Sequence, residues 1–249
     1  MENNIIKAAK AIKGSAYTIA FTGAGISVES GIPPFRGPEG LWSKYNPEIL
    51  ELDYFYRHPE KSWPVIKEIF YDFFGTASPN PAHKALAELE HKGLLKCVVT
   101  QNIDNLHQEA GSKLVHEFHG TCGRMVCIKC RKVYKSSDIS LQKLPPLCPA
   151  CMGLLKPDFI FFGENISPAT YTASFEAAEQ ARVVIVIGTT GEVMPAGYIP
   201  LTAKKNGATI IEINTESSAF TSKVTDIFLQ GKAGEIMEKL LKALSVTIS

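Results

Sequence analysis

Residues 16 to 36 constrain this chain more than any other stretch. Ala16 to Phe21 is a short apolar run with the β-branched and aromatic content of a buried strand. It gives way at once to Thr22-Gly23-Ala24-Gly25-Ile26-Ser27, and then to Gly31-Ile32-Pro33-Pro34-Phe35-Arg36. A strand that ends in Gly-x-Gly and enters a helical turn can open a βαβ unit. The glycines allow a sharp turn and close approach of a ligand without a Cβ in the way, and the free N–H groups of the following helix face an anion. The fuller dinucleotide fingerprint is incomplete, because Val28 stands at the third glycine position and no acid closes a second strand at the usual distance. On these residues alone, a phosphate-binding loop and a plain tight turn both stand.

The remaining apolar periodicity places the turn in an α/β fold. Arg182 to Ile187 reads as a buried parallel strand, with further strands at Cys97 to Thr100, Asp158 to Phe162 and Thr209 to Ile213. Helical patterns cover Met1 to Lys13, Ala82 to His91, Tyr171 to Ala181, Pro195 to Lys205 and Lys232 to Ala243. The alternation predicts a Rossmann-like, mostly parallel sheet with helices on both faces. Two stretches interrupt it. Residues 39–80 carry Leu41, Trp42, Tyr45, Phe55, Trp63, Ile66, Phe70 and Phe73 at roughly helical spacing, and residues 121–156 hold cysteines with little apolar pattern. The expected division is a large domain from 1–36, 83–119 and 158–249, and a small domain made of a helical insertion, 37–82, and a cysteine module, 120–157.

Cys127-x-x-Cys130 and Cys148-x-x-Cys151, seventeen residues apart, have the spacing of a four-cysteine zinc ribbon. Four thiolates suit tetrahedral, redox-silent zinc, and with every position filled by protein the metal is structural. The module is basic: residues 120–157 hold seven Lys and Arg against Asp138 alone, in a chain of net charge +1. Such a surface suits an acidic partner or nucleic acid, or is simply solvated. Met1 to Lys13 is charged and amphipathic rather than a secretory segment, and no apolar run could span a bilayer, so a cytoplasmic protein without membrane contact is expected.

Gly-Ala-Gly-Ile-Ser with Gly-Ile-Pro-x-Phe-Arg, then Thr100-Gln101-Asn102-Ile103-Asp104, then His119-Gly120, two Cys-x-x-Cys pairs and Phe162-Gly163-Glu164 occur here in one order. From about residue 16 to residue 234 this closely resembles the sirtuin family of NAD-dependent protein lysine deacylases. The resemblance implies a deacetylase that consumes NAD as co-substrate. The acyl-lysine oxygen attacks the nicotinamide ribose, and the products are nicotinamide, free lysine and O-acetyl-ADP-ribose. His119 is then the general base, with an imidazole that is neutral near physiological pH. Asp104 holds the nicotinamide carboxamide and Asn102 orients the ribose or a water. Gln101 and Ile103 line the cofactor; Gly23, Ala24 and Gly25 meet the pyrophosphate; Phe35 covers the ribose; Arg36 steadies the loop. Gly188, Thr189, Thr190, Asn214, Lys232 and Ala233 fall on the adenosine side.

Ile160, Phe161, Phe162, Gly163 and Glu164 match the acyl-lysine tunnel and the strand that pairs with an extended acetylated peptide, with Val193 opposite. The chain departs from the family pattern at Pro34, Thr190 and Gly191-Glu192, which weakens the transfer of roles around Val193. Where desuccinylases carry Tyr and Arg after the matching tryptophan, this chain has Ile66 and Ile69 after Trp63, implying an apolar acyl pocket. Protein mono-ADP-ribosyl transfer would use the same cofactor residues, and a zinc-ribbon nucleic-acid regulator is a more distant alternative.

Overall fold

The computed structural model describes residues 2–35 and 40–246, so Arg36 lies outside the described residues. The strands are β1 (Thr18–Thr22), β2 (Cys97–Thr100), β3 (Val115–Glu117), β4 (Gly120–Cys127), β5 (Val133–Lys135), β6 (Leu155–Phe159), β7 (Val183–Ile187), β8 (Thr209–Asn214) and β9 (Ile227–Gln230). The helices are α1 (Glu2–Lys13), α2 (Leu52–Arg57), α3 (Pro59–Lys67), α4 (Pro81–His91), α5 (Leu106–Glu109), α6 (Pro168–Gln180), α7 (Tyr198–Lys205) and α8 (Ala233–Val246).

Among the described residues, six strands form a sheet in the order β3-β2-β1-β7-β8-β9, parallel at every pairing. Both faces of this sheet are covered, so its central strands are apolar throughout rather than alternating. Every residue of β1, β2 and β7 is buried. One face packs on α1, α4 and α8 through Ile12, Leu86, Leu89, Met237 and Leu240. The other packs on α6 and α7 through Ala177, Ala178, Ile199 and Ala203. α4 starts cleanly because Asn80 accepts from the Ala82 N–H at 2.9 Å and Pro81 follows it, and it ends just before Gly93, whose φ of 73° suits glycine.

The strand order reverses direction between β1 and β7, and such a switch point opens a crevice at the carboxyl ends of the strands. The glycines there have a packing task. Gly25 donates to the Gly188 carbonyl at 2.8 Å, and a Cβ on Gly25 would lie 2.6 Å from the Gly188 Cα. Gly188, at φ +63°, would place its own Cβ 2.3 Å from the Ile26 nitrogen. The close approach predicted for a ligand is thus first an approach of one loop backbone to another.

The strand expected over Asp158 to Phe162 lies earlier, at Leu155–Phe159, and leaves the parallel sheet. It pairs antiparallel with β4 in a three-stranded sheet ordered β5-β4-β6. Pro157 in the middle reads in sequence as a breaker, yet it sits opposite Met125, where the ladder tolerates it. The helical insertion and this sheet share one core, in which Phe55, Trp63, Ile66, Ile69 and Phe70 meet Met125, Leu155, Phe159 and Phe161. The Trp63 indole N–H donates to the Leu155 carbonyl at 3.1 Å, tying the two together.

Substituting Gly25→Ala forces two backbones apart, so it costs about 3 kcal/mol in ligand-free protein, at the upper end of overpacking penalties. Urea unfolding would read this loss; an unchanged midpoint would mean that the glycine serves only a ligand.

Candidate active site

Four parallel strands deliver polar groups to the crevice: β1 through Gly23, β2 through Gln101 to Asp104, β7 through Gly188 and Thr189, and β8 through Asn214. Gln101 Nε2 donates to Thr189 Oγ1 at 3.0 Å, and Asn214 Nδ2 donates to the Thr189 carbonyl at 3.0 Å. Gly231 donates to the Asn214 carbonyl at 2.9 Å, which places Lys232 and Ala233 beside it, with Ala233 buried at the start of α8. Glu29 caps that helix, accepting from the Gly234 N–H at 2.7 Å. Thr190 is exposed, and its carbonyl accepts from the Ala219 N–H at 2.9 Å. In the Gly-rich turn, Gly23 N–H donates to the Ile187 carbonyl at 3.0 Å and Gly25 N–H is engaged by Gly188. These contacts leave the Ala24 N–H as the uncommitted donor of the three.

Asn102 and Asp104 lie on one side of the extended segment and Ile103 on the other. Asn102 Nδ2 donates to Ser27 Oγ at 3.1 Å and to the Gly23 carbonyl at 3.2 Å, and Ser27 Oγ donates onward to Asp104 Oδ2 at 2.7 Å. Asp104 Oδ1 accepts from the Leu106 N–H at 3.0 Å. Burial raises the Asp104 carboxyl above the usual range, while the bonds from Ser27, Leu106 and Asn102 pull the other way. Ile103 faces the small-domain core, and its carbonyl accepts from the Cys122 N–H at 2.9 Å.

Sequence reasoning gave no role to Ser27, His83 or His107, and the structure puts all three in this network. Ser27 and His83 are wholly buried and His107 is 1% exposed. Because the Ser27 hydroxyl hydrogen points to Asp104, the 3.4 Å contact of His83 Nε2 with Ser27 Oγ requires a hydrogen on Nε2, while Nδ1 accepts from the Asn80 N–H at 3.4 Å. That is a neutral imidazole. His107 Nε2 contacts Thr22 Oγ1 at 2.9 Å, and the two imidazoles meet edge-on with centroids 4.9 Å apart. Burial lowers His83 to about 4 and His107 to about 3. The sequence signals were present: Ser27 closes the Gly-Ala-Gly-Ile-Ser run, and His107 ends the polar run that follows β2.

His119 stands at the end of β3. Its Nδ1 lies 3.1 Å from the Gln101 carbonyl, which can only accept, so Nδ1 carries the hydrogen and Nε2 keeps a lone pair. Burial lowers its pKa, partly offset by that bond. The His119 carbonyl accepts from the Ile160 N–H at 2.9 Å, joining this histidine to the segment after β6.

In the segment after β6, the Phe162 N–H donates to the Leu50 carbonyl at 2.8 Å and its carbonyl accepts from the Leu52 N–H at 3.0 Å. Phe162 offers a half-exposed ring, 6.1 Å from Trp42, which in turn lies 5.7 Å from Phe35. Phe35 therefore packs toward the small domain in this structure. Phe161 is a core residue, 2% exposed and stacked on Phe159. Gly163 is exposed at φ +81° beside the half-buried Glu164, and Val193 is half-buried, its carbonyl accepting from the Gly197 N–H at 2.8 Å. Ile66 and Ile69 are buried within the small-domain core.

The four zinc-ribbon cysteines converge, with all Sγ atoms within 4.8 Å of one another. Cys127 and Cys151 sulfurs are 3.5 Å apart, and Cys130 and Cys148 sulfurs 3.7 Å. A tetrahedral zinc with bonds of about 2.3 Å sets sulfurs at about 3.8 Å, so the site fits zinc. Tyr134 lies with its hydroxyl 3.1 Å from Cys148 Sγ.

Comparison with known proteins adds the family. A sequence model of the Sir2 family matches residues 23–195. The NAD-dependent protein deacylase of Pyrococcus furiosus is 48% identical over 246 residues, covering 94% of this chain and 96% of that protein. A crystal structure of a Sir2 homolog in complex with NAD superimposes with TM-score 0.89 at 42% identity, over 98% of this chain and 94% of that one. A Sir2 structure with p53 peptide and NAD+ does so with TM-score 0.87 at 35% identity, over 98% of each chain.

The buried histidines make the fold acid-sensitive. Their folded pKa values lie below the ordinary value of 6.5, so between pH 6.5 and 5 the unfolded chain binds protons that the folded one does not. Stability therefore falls as pH falls through this window, approaching about 1.4 kcal/mol per pH unit for each fully protonating histidine. Denaturant titrations at stepped pH would measure the slope, which flattens in His83→Asn or His107→Asn if these residues carry it.

Proposed function

This chain belongs to the Sir2 family, and on that premise we propose that it is an NAD-dependent protein lysine deacylase with His119 as the general base. The observation that carries the assignment of the base is the Nδ1 bond to the Gln101 carbonyl, which fixes the tautomer with Nε2 as acceptor. Burial lowers the His119 pKa, which favours the neutral imidazole at physiological pH.

The residues fit NAD: donors and acceptors from four strand ends converge on a switch-point crevice, where Asn214 at the end of β8 stands in for the missing ribose acid. When bound, NAD supplies an electrophilic ribose carbon and a cationic pyridinium leaving group. Asp104, raised toward its protonated form by burial, and Asn102 are held in register by Ser27, ready to bond a carboxamide and a ribose hydroxyl or water. Ala24 offers its N–H toward the phosphates, Gln101 and Thr189 form the floor, and Lys232 and Ala233 close the adenosine end. His119 Nε2 accepts a proton from a ribose hydroxyl.

The p53 peptide bound with NAD+ in one related structure, and the deacetylated p53 peptide bound with 3'-O-acetyl ADP-ribose in another, support an acylated peptide as second substrate. The apolar positions Ile66 and Ile69 supply no cation for an acyl carboxylate, so acetyl and longer aliphatic chains are preferred over succinyl. The basic module gives less support to a nucleic-acid role than its count implies: Arg124 is bound to Glu117 and Asp158, and Lys156 is buried on Glu164. No described helix is long and apolar enough to cross a membrane.

The decisive measurement is nicotinamide release from NAD with and without an acetyl-lysine peptide. Release should depend on the peptide and fall on the order of 100-fold or more in His119→Ala. Peptide-independent release with labelled ADP-ribose on protein would instead establish ADP-ribosyl transfer. With matched succinyl-lysine and acetyl-lysine peptides, turnover of the acetyl form should be faster; the reverse order would refute an apolar acyl pocket.

A further inference from the structure

Lys156 is the most deeply buried lysine among the described residues, at 3% exposure on β6, facing the small-domain core. An ammonium has three hydrogens, and here each has an acceptor. Nζ donates to the Pro157 carbonyl at 2.9 Å and the Phe159 carbonyl at 2.7 Å, and pairs with Glu164 Oε2 at 2.9 Å. It also lies 4.3 Å from the centroid of the Phe161 ring, within cation–π range. Burial lowers the lysine pKa and Glu164 opposes that shift.

The same Glu164 oxygen accepts from the Phe161 N–H at 2.9 Å, while the Glu164 N–H donates to the Phe161 carbonyl at 2.9 Å. Those two bonds close a tight turn over Phe161–Glu164, with Gly163 at φ +81° at its tip. The turn's inner surface is therefore an ion pair, and its outer surface is the half-exposed Phe162 ring and exposed Gly163. Apolar residues of similar volume usually replace a buried ion pair without loss of stability, so stability alone does not account for the charges here. What the pair supplies is geometry: four directional contacts that fix one backbone path where apolar packing would accept several.

Resting on the deacylase reading above, we propose that Lys156 and Glu164 are positioning residues for the acyl-peptide substrate, holding the exposed Phe162 ring and Gly163 in the place where the peptide meets them. Glu164 then acts from behind the turn rather than by touching the substrate. Neither residue reaches the crevice groups Asn102, Asp104 or Asn214 through any described bond, so the effect falls on the peptide side and spares NAD.

The test uses Lys156→Met, which keeps the aliphatic stem, together with Glu164→Gln and Lys156→Arg, each checked for cooperative unfolding. In Lys156→Met the KM for an acetyl-lysine peptide should rise at least tenfold while the KM for NAD stays within twofold. Glu164→Gln should behave alike, the double variant should be no worse than either single one, and Lys156→Arg should restore most of the loss. Amide hydrogen exchange, which needs no activity, should quicken at least tenfold in Phe161–Glu164 and remain unchanged in β1 and β7. Should Lys156→Met not fold, the Glu164→Gln and Lys156→Arg pair carries the same comparison. An unchanged peptide KM in a folded, active variant overturns the proposal, as does a parallel rise in both KM values or unaltered exchange in the turn. Absence of peptide-dependent turnover in the natural chain would instead refute the deacylase reading, and the exchange result would still decide whether the ion pair shapes the turn.

Discussion

The contact between Gly25 and Gly188 is the constraint from which the rest of the site follows. Two strands that neighbour each other in the sheet, β1 and β7, end in loops whose backbones touch with no side chain between them. Because the loops meet directly, the N–H groups of Gly23 and Gly25 are engaged within the protein. Thr189 then lies where Gln101 and Asn214 can both reach it, so groups from β2, β7 and β8 are brought to one floor. The reversal of strand order between β1 and β7 opens the crevice, and the two glycines let its loop backbones meet.

Below that floor runs a second layer that holds Asn102 and Asp104 in register. Asn102, Ser27 and Asp104 form a directed chain of hydrogen bonds, and His83 and Thr22 with His107 continue it into the interior. Burial penalises the charged form of groups so deeply placed, which is why both imidazoles are pushed toward neutrality, although His107 Nδ1 has no hydrogen-bond partner. The arrangement trades acid tolerance for a fixed set of donors and acceptors. His119 uses the same device in simpler form, with one carbonyl fixing one tautomer.

The helical segment after the Gly-rich loop and the three-stranded sheet lie far apart in the chain and share one core. That core is aromatic, with Phe55 against Trp63 and Phe161 and with Phe161 stacked on Phe159, and Cys127 and Cys148 are buried in it. The segment after β6 is bonded to this core at Leu50 and Leu52 and to the His119 carbonyl, so it ties the core that holds the cysteine cluster to the crevice.

Much of this was legible in the chain itself. The period of apolar residues determined the α/β class and located β2 and β7 to within a residue, because strands buried on both faces are apolar without interruption. The cysteine spacing determined the metal module, and the ordered motifs determined the family. Strand β6 was misplaced because pairing with β4, not local composition, decides where a strand containing Pro157 runs. The sequence likewise put Phe161, Phe162 and Glu164 together as substrate contacts, since adjacency along the chain is all it offers. Only the tertiary structure separated them, sending Phe161 into the core, engaging the backbone of Phe162 with Leu50 and Leu52, and turning Glu164 inward to Lys156. The physical reason is that burial and hydrogen-bond partners are properties of three-dimensional neighbours. Local pattern determines what a segment can become, and the groups it meets across the fold decide which of its atoms remain free for chemistry.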